Sequence, residues 1–351
     1  MKRKLIAIDC ETDPFKAGRV PEPFIWGMYD GNEFKYWRHT EEFVEWLSGR
    51  NVIAYAHNGG KFDFMYLFNY IEKTRARIIG GRFAEMQLGN AKLRDSYSII
   101  PVPLAAIQKD EIDYNKMERE VREQYMKSDI IPYLKTDCKV LWEAVNAYRI
   151  AAGKSLTIAS NAMASSKKLR VDPGKTNYRF DTEFREYYFG GRTQCFQPGT
   201  HENLRVVDIV SSYPYAMSRD HATGTDRASN DRMTLTDERE IGRSFIKLEC
   251  YSEGAFPLRK KDGGLDFPHG FHEFSVTGWE YLTALKHKLI SRIKINRVVT
   301  FENTINFSPY IEKWFKHKQD HPKKTDPINY TIGKIMMNSC AALRFGCAGA
   351  A

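Results

Sequence analysis

Residues 5–15 read LIAIDCETDPF. Leu5, Ile6, Ala7 and Ile8 form a short aliphatic run of the kind that becomes a buried strand. The run then delivers Asp9 and Glu11 at the point where a strand hands over to a loop. Successive side chains of a strand alternate faces, so Asp9 and Glu11 point the same way and Cys10 points opposite. Neighbouring carboxylates repel each other unless something positive sits between them. A strand end fraying into solvent accounts for the pattern, and so does a metal pocket. The pocket needs further ligands from elsewhere in the chain.

Two downstream segments offer them. The strand-like NVIAYAH (51–57) leads into HNGGKFD (57–63), which places Asp63 at the mouth of the following helix, just past a Gly-Gly turn. In isolation N-G-G is also an ordinary turn. A helix starting near Pro132, a favourable first-turn residue, carries Tyr133 and Asp137 one turn apart on one face. An amphipathic helix with a packed tyrosine and a solvated aspartate has the same appearance. Taken together, D-x-E, N-x-x-x-F-D and Y-x-x-x-D follow one another in order, each on an element able to aim it. The four carboxylates Asp9, Glu11, Asp63 and Asp137 suffice for two divalent cations, and an all-oxygen set suits Mg2+ or Mn2+. Two such ions about 3.5–4 Å apart generate a hydroxide and stabilise the leaving oxygen in phosphodiester cleavage. Tyr133 is placed to orient the attacking water.

Around these motifs the first part of the chain alternates strand and helix patterns. FIWGMYDGNEFKYW (24–37) contains a D-G turn, TEEFVEWLSG (40–49) and FDFMYLFNYIEK (62–73) read as helices, and ARIIGGRFAEMQLG with KLRDSYSI reads as a strand pair. The pattern predicts a mixed α/β sheet flanked by helices. A small, polar stretch at 151–175 marks a linker between 1–150 and 176–351. In the second part LRVVDIV (204–210) reads as a strand, and two helices are expected around PYIEKWFKHKQD and NYTIGKIMMNSCAALRF.

The 351 residues are 42% hydrophobic and 13% aromatic, which excludes a disordered chain and allows two domains. A net charge of +9, spread over mixed-sign sequence, favours a polyanionic partner such as nucleic acid, although ordinary soluble proteins are often as basic. Six cysteines without a C-x-x-C pair read as reduced thiols in a cytoplasm. No signal sequence or membrane-spanning run is apparent.

With these motifs in hand, the first part resembles the 3′-5′ proofreading exonuclease domain of family B DNA polymerases, in particular the protein-primed polymerases of phages. Thr12, the His57–Asn58–Phe62 group, LRDSYSIIPVPLAAI (93–107) and KDEIDYNK (109–116) extend the likeness, with Lys109 and Ile112 similar to a lysine motif of that group. The resemblance implies a ribonuclease H-like domain over 1–150. It also implies that His57, Asn58, Phe62 and Ser96 grip a single-stranded 3′ end while Lys109 assists catalysis.

The second part continues the resemblance. YYFGG supplies Tyr188, Gly190 and Gly191 of a Y-x-G-G motif that contacts template DNA, and paired glycines equally suit a plain turn. VVDIVSSYPYAM is similar to polymerase motif A. By that likeness Asp208 and the backbone carbonyl of Ile209 hold catalytic ions, and Tyr213 lies under the incoming sugar. GKIMMNS is similar to motif B, with Lys334 the triphosphate contact, Asn338 beside the nucleotide, and Lys323 or Lys324 a weaker candidate. Ala341 and Ala342 stand where that motif has tyrosine and glycine, and no Y-x-D-T-D of motif C follows. Residues 176–351 are therefore expected to form an incomplete polymerase domain: a palm strand, an insertion and fingers helices, without motif C or a thumb. The implied partners are single-stranded and primer-template DNA, dNTPs and a terminal priming protein, with no membrane, in the cytoplasm of an infected or host bacterium. Such a chain is expected to degrade DNA and not to polymerise it alone. A stand-alone exonuclease and a non-catalytic remnant binding DNA or terminal protein are the alternatives.

Overall fold

A computed structural model describes residues 3–71, 75–108, 111–172, 182–230 and 237–344. The chain divides into two compact units: Met1–Lys168 together with Glu312–Leu343, and Leu169–Ile311. Residues 312–343, assigned by sequence to the C-terminal domain, thus group with the N-terminal unit.

Among the described residues, the first unit is built on a seven-stranded mixed sheet: β1 (Lys4–Thr12), β2 (Pro23–Tyr29), β3 (Phe34–Trp37), β4 (Val52–Ala56), β5 (Arg77–Ile79), β6 (Arg82–Leu88) and β7 (Ala91–Asp95). Their order is β3-β2-β1-β4-β7-β6-β5. β4 runs parallel to β1 and to β7, and the outer pairings are antiparallel. The D-G turn joins β2 to β3, with Gly31 at φ 97°.

Both faces of the sheet are covered. Ile6, Ile8 and Cys10 pack with Phe43 and Leu47 of α1 (Thr40–Ser48) and with Phe64 of α2 (Asp63–Tyr66). On the other face Phe24 and Ile25 pack with Leu134 and Cys138 of α4 (Ile131–Ala151). Gly27, opposite Asp9 in the β1–β2 register, allows this close approach: a Cβ there would lie 2.7 Å from Leu134 Cγ. Strand alternation therefore sends Asp9 and Glu11 toward α4 while Cys10 enters the opposite core.

Several elements differ from their sequence patterns. The helix expected over 62–73 is one turn, Asp63–Tyr66, followed by a 3-10 turn at Phe68–Tyr70, because the chain bends to bury Phe64, Leu67 and Ile71 together. The helix carrying Tyr133 is preceded by α3 (Arg122–Tyr125) and a wide π turn at Met126–Ile130. Pro132, which lacks an N–H, sits in the first turn of α4 just after it. Part of the expected linker is α5 (Ile158–Lys168), entered through buried Asn161, whose side chain accepts from Ser155 N at 3.0 Å and donates to the Thr157 carbonyl at 3.0 Å.

In the second unit, strands β8 (Asp220–Asn230), β9 (Ser244–Glu253), β12 (His269–Thr277) and β13 (Ile290–Asn306) form an antiparallel sheet in the order β12-β9-β13-β8, between which lies a short β10–β11 hairpin (Leu258–Arg259, Leu265–Asp266). Ile246, Leu248, Phe274, Val276 and Val298 fill its core. The strand expected at 204–210 is absent among the described residues: the segment is irregular, with Val206 98% and Val207 87% exposed. β propensity alone does not make a strand, since ladder hydrogen bonds require a neighbour, and none pairs with this segment. The two C-terminal helices are Ser308–Asp320 and Pro327–Arg344.

Candidate metal centre

The carboxylates of Asp9, Glu11 and Asp137 each offer an oxygen within 4.8 Å of the others. Asp9 and Glu11 arrive on alternate positions of β1, and Asp137 comes from the first half of α4, which lies over that strand. Asp63, expected with them, lies outside this 4.8 Å group and is tied to the same strand end. The parallel β1–β4 pairing ends at Ala7–Tyr55, so the N–H of Cys10 has no strand partner on that edge and donates to Asp63 Oδ1 at 3.2 Å.

Glu11 and Asp63 are buried, while Asp9 and Asp137 are half-buried. Burial holds the Asp9 carboxyl well above the usual carboxylate range, and the charges of Asp63, Glu11 and Asp137 push it further. Glu11 is raised by burial, then by Asp137 and Asp63. Burial pushes Asp63 up to about 6. Negative charge concentrated in this way, with all-oxygen donors, fits divalent cations of the magnesium or manganese kind. Half-buried Tyr133 borders the group: its hydroxyl pKa is raised by burial, by Asp137, by a hydrogen bond with Tyr114, and by Glu11.

The turn between β4 and α2 shapes one wall. Asn58 adopts φ 58°, a left-handed conformation asparagine tolerates. Gly60 is required by space: a Cβ there would stand 2.2 Å from the Phe83 carbonyl oxygen. Because β4 and β7 are parallel neighbours paired at Ala56–Asp95, the next residues of each meet, and His57 Nδ1 lies 2.9 Å from Ser96 Oγ. Burial lowers the His57 pKa, which favours the neutral ring. Phe62 packs against Tyr66 and Phe15, with ring centroids 5.4 and 5.9 Å away. His57, Asn58, Phe62 and Ser96 thus share the sheet edge that carries Asp63. Lys109 lies outside the described residues.

The remaining sequence candidates are dispersed. Asp208 and Ile209 sit on the exposed irregular segment, followed by Ser211 at φ 56° and a helix, Ser212–Met217, that carries Tyr213. Tyr213 Oη lies 3.1 Å from where a Cβ on Gly191 would be, so this short helix and the glycine pair adjoin. The carbonyl of Tyr188 accepts from Arg259 at 2.8 Å, and Gly190 is exposed. Lys334 and Asn338 share an exposed face of the last helix, where Asn338 Nδ2 donates to the Lys334 carbonyl at 2.8 Å. Asp208 and Lys334 belong to different units.

Sequence reasoning missed two supports. Strict alternation would have put Asp13 beside Asp9 and Glu11, but a register shift between Glu11 and Thr12 turns it away. Asp13 is instead wholly buried among Arg119, Arg19 and Arg122, at 2.9, 3.5 and 3.6 Å. The third acid of D-x-E-x-D was the available signal. The second support is Arg82, which bonds Asp95 at 2.8 Å and Asn58 Oδ1 at 3.1 Å and stacks on Tyr97. Nothing in local sequence pointed to it.

Comparison with known proteins agrees with this architecture. Residues 92–341 match the family described as DNA polymerase type B, organellar and viral. The chain is 39% identical over 344 residues to the DNA-directed DNA polymerase of Enterobacteria phage PRD1, covering 96% of this chain and 60% of that one. Phi29 DNA polymerase in an orthorhombic crystal form superposes with a TM-score of 0.73 at 18% identity, over 97% of this chain and 68% of the other. Its complex with single-stranded DNA gives 0.71 at 18%, over 96% and 67%. The chain belongs to the type B DNA polymerase family of viruses and organelles. It spans 60% of the length of the PRD1 polymerase. No helix among the described residues is long and apolar enough to cross a membrane.

Proposed function

We propose that residues 1–150 form a metal-dependent 3′-5′ exonuclease acting on single-stranded DNA, within a protein-primed DNA-directed DNA polymerase. The observation that carries this reading is the convergence of Asp9, Glu11 and Asp137 within 4.8 Å, with Asp63 tied to the same strand end. When bound, Mg2+ or Mn2+ supplies Lewis-acid stabilisation of the phosphodiester oxygens. Asp9, Glu11, Asp63 and Asp137 hold the ions, Tyr133 orients the attacking water, and Lys109 assists catalysis. His57, Asn58, Phe62 and Ser96 grip the 3′ end, and an aromatic such as Phe62 stacks on a base of any identity, which suits proofreading.

For the polymerase half, Asp208 and the Ile209 carbonyl share the ions of nucleotidyl transfer, Tyr213 and Asn338 adjoin the incoming dNTP, and Lys334 contacts its triphosphate. Tyr188, Gly190 and Gly191 approach primer-template DNA. A terminal priming protein and a cytoplasmic setting complete the reading, with residues 1–150 as the exonuclease domain and 176–351 as part of the polymerase domain. Phi29 polymerase, a structural neighbour, has been crystallised with primer-template DNA and incoming nucleotide substrates.

The test is degradation of a 5′-labelled single strand. Products shortened from the 3′ end, dependent on Mg2+ or Mn2+ and lost in EDTA, are expected. Absence of metal-dependent degradation by pure protein would refute the nuclease reading.

A further inference from the structure

We propose that Phe15 is a second base-stacking platform beside the metal centre, taking the nucleobase adjacent to the one that Phe62 receives. The inference rests on the nuclease reading of this site and adds a binding residue to it.

Phe15 is 75% exposed, yet the loop that carries it is firmly held. Buried Asp13, two residues earlier, is gripped by Arg119 at 2.9 Å. Arg19 donates to the Pro14 carbonyl at 2.7 Å, and Lys16 pairs with Glu118 at 2.5 Å. Across the loop, Tyr66 Oη donates to the Pro21 carbonyl at 2.9 Å. A large aromatic ring is thus presented to solvent from a fastened backbone four residues after Glu11. Single exposed apolar side chains are common and need no explanation alone. Here the ring continues an aromatic strip formed by Phe62 and Tyr66.

The spacing decides how the strip is used. Phe15 and Phe62 have centroids 5.9 Å apart and planes tilted by 41°. Stacked bases are about 3.4 Å apart, so a base sandwiched between two rings needs about 6.8 Å. No base fits between Phe15 and Phe62, so the pair serves two neighbouring bases rather than clamping one. Stacking of this kind is tolerant of sequence, as removal of any 3′-terminal nucleotide requires.

The experiment uses the full chain with Phe15→Ala and Phe15→Tyr. Binding of a labelled oligothymidylate is read by anisotropy in EDTA, where no cleavage is needed, and hydrolysis is read in Mg2+ against thymidine 5′-p-nitrophenyl phosphate, which carries one base, and against oligomers of increasing length from the dinucleotide. Phe15→Ala is expected to raise Kd and KM for the oligomers roughly tenfold while leaving kcat and hydrolysis of the one-base ester unchanged. Phe15→Tyr is expected to restore wild-type values, because either ring stacks. An unchanged Kd in Phe15→Ala overturns the proposal, as does a Phe15→Tyr variant as weak as alanine; a ring serving to dock another protein would give the first result. Nuclease activity surviving Asp9→Ala with Glu11→Ala would count against the site reading, and the Kd comparison would stand apart from it.

Discussion

The carboxylate of Asp63 accepts a hydrogen bond from the backbone N–H of Cys10 at 3.2 Å, which fastens the turn after β4 to the strand carrying Asp9 and Glu11. The Asp63 carboxylate also bonds its own backbone N–H and the Cys10 thiol, so it is fixed to the protein at several points. The centre is a joint between secondary elements as well as a cluster of charge, and its chemistry and stability are coupled.

Replacing Asp9 and Glu11 together by alanine removes mutually repelling, partly desolvated charges. Exonuclease activity is expected to fall by about three orders of magnitude or more, since ion stabilisation of phosphoryl transfer is lost. The melting temperature in EDTA is expected to stay level or rise. Calorimetry of the metal-free variant showing a large drop would mean that these acids hold the fold together.

The pH dependence follows from Asp63. Its folded pKa of about 6 lies above the ordinary aspartate value of about 3.9, so between those values the folded state binds more protons than the unfolded state. Its contribution to stability is fully present below pH ~4 and is lost as pH rises through ~6. In EDTA, the stability difference between wild type and Asp63→Asn is expected to shift against wild type from pH 5 to pH 7.5. Metal binding is expected to weaken below pH 6, where protons compete for the same oxygens. Parallel stability curves for the two proteins over that range would contradict this.

Asp13→Ala leaves three arginines around an uncompensated site. Breaking such a pair costs ~3–5 kcal/mol when fully buried, and solvent screening reduces it here because the Arg119 side chain is 41% exposed. A loss of about 2 kcal/mol in denaturant unfolding is expected, with activity reduced through a loosened Phe15 loop. A change within 0.5 kcal/mol, the ordinary range for a surface substitution, would show that Arg19 and Arg119 are satisfied by Glu118 and Glu22 and that Arg122 needs no buried partner.

Gly60→Ala places a Cβ 2.2 Å from the Phe83 carbonyl oxygen, a backbone atom that cannot rotate away. Overpacking costs about 1–3 kcal/mol. Because Gly60 lies three residues before Asp63, nuclease activity is expected to fall more steeply than stability. Wild-type activity in this variant would show that the turn moves without carrying Asp63.

Primer extension tests the other half. On the polymerase reading Asp208 would supply one carboxylate for the ions of nucleotidyl transfer, and these 351 residues hold no Y-x-D-T-D to supply a second. These residues alone are expected to give no template-directed incorporation. Incorporation abolished by Asp208→Ala would prove the second carboxylate motif dispensable.

The sequence alone determined the type of core sheet and the identity of the acids, because strand alternation and the i, i+4 helix repeat are local rules that act on neighbouring residues. Asp9 and Glu11 were legible as a same-face pair, and Tyr133 and Asp137 as another, before any coordinate was known. Tertiary structure decided what those rules cannot reach. The Glu11–Thr12 register shift sent Asp13 to Arg119, 106 positions away, instead of to the metal centre. The end of parallel pairing at Ala7 freed the Cys10 N–H for Asp63, and the 204–210 segment, despite its valines, stayed irregular without a neighbouring strand. Each of these outcomes depends on hydrogen bonds or ion pairs between residues far apart in the chain, and such partners are chosen by packing, which no local periodicity records.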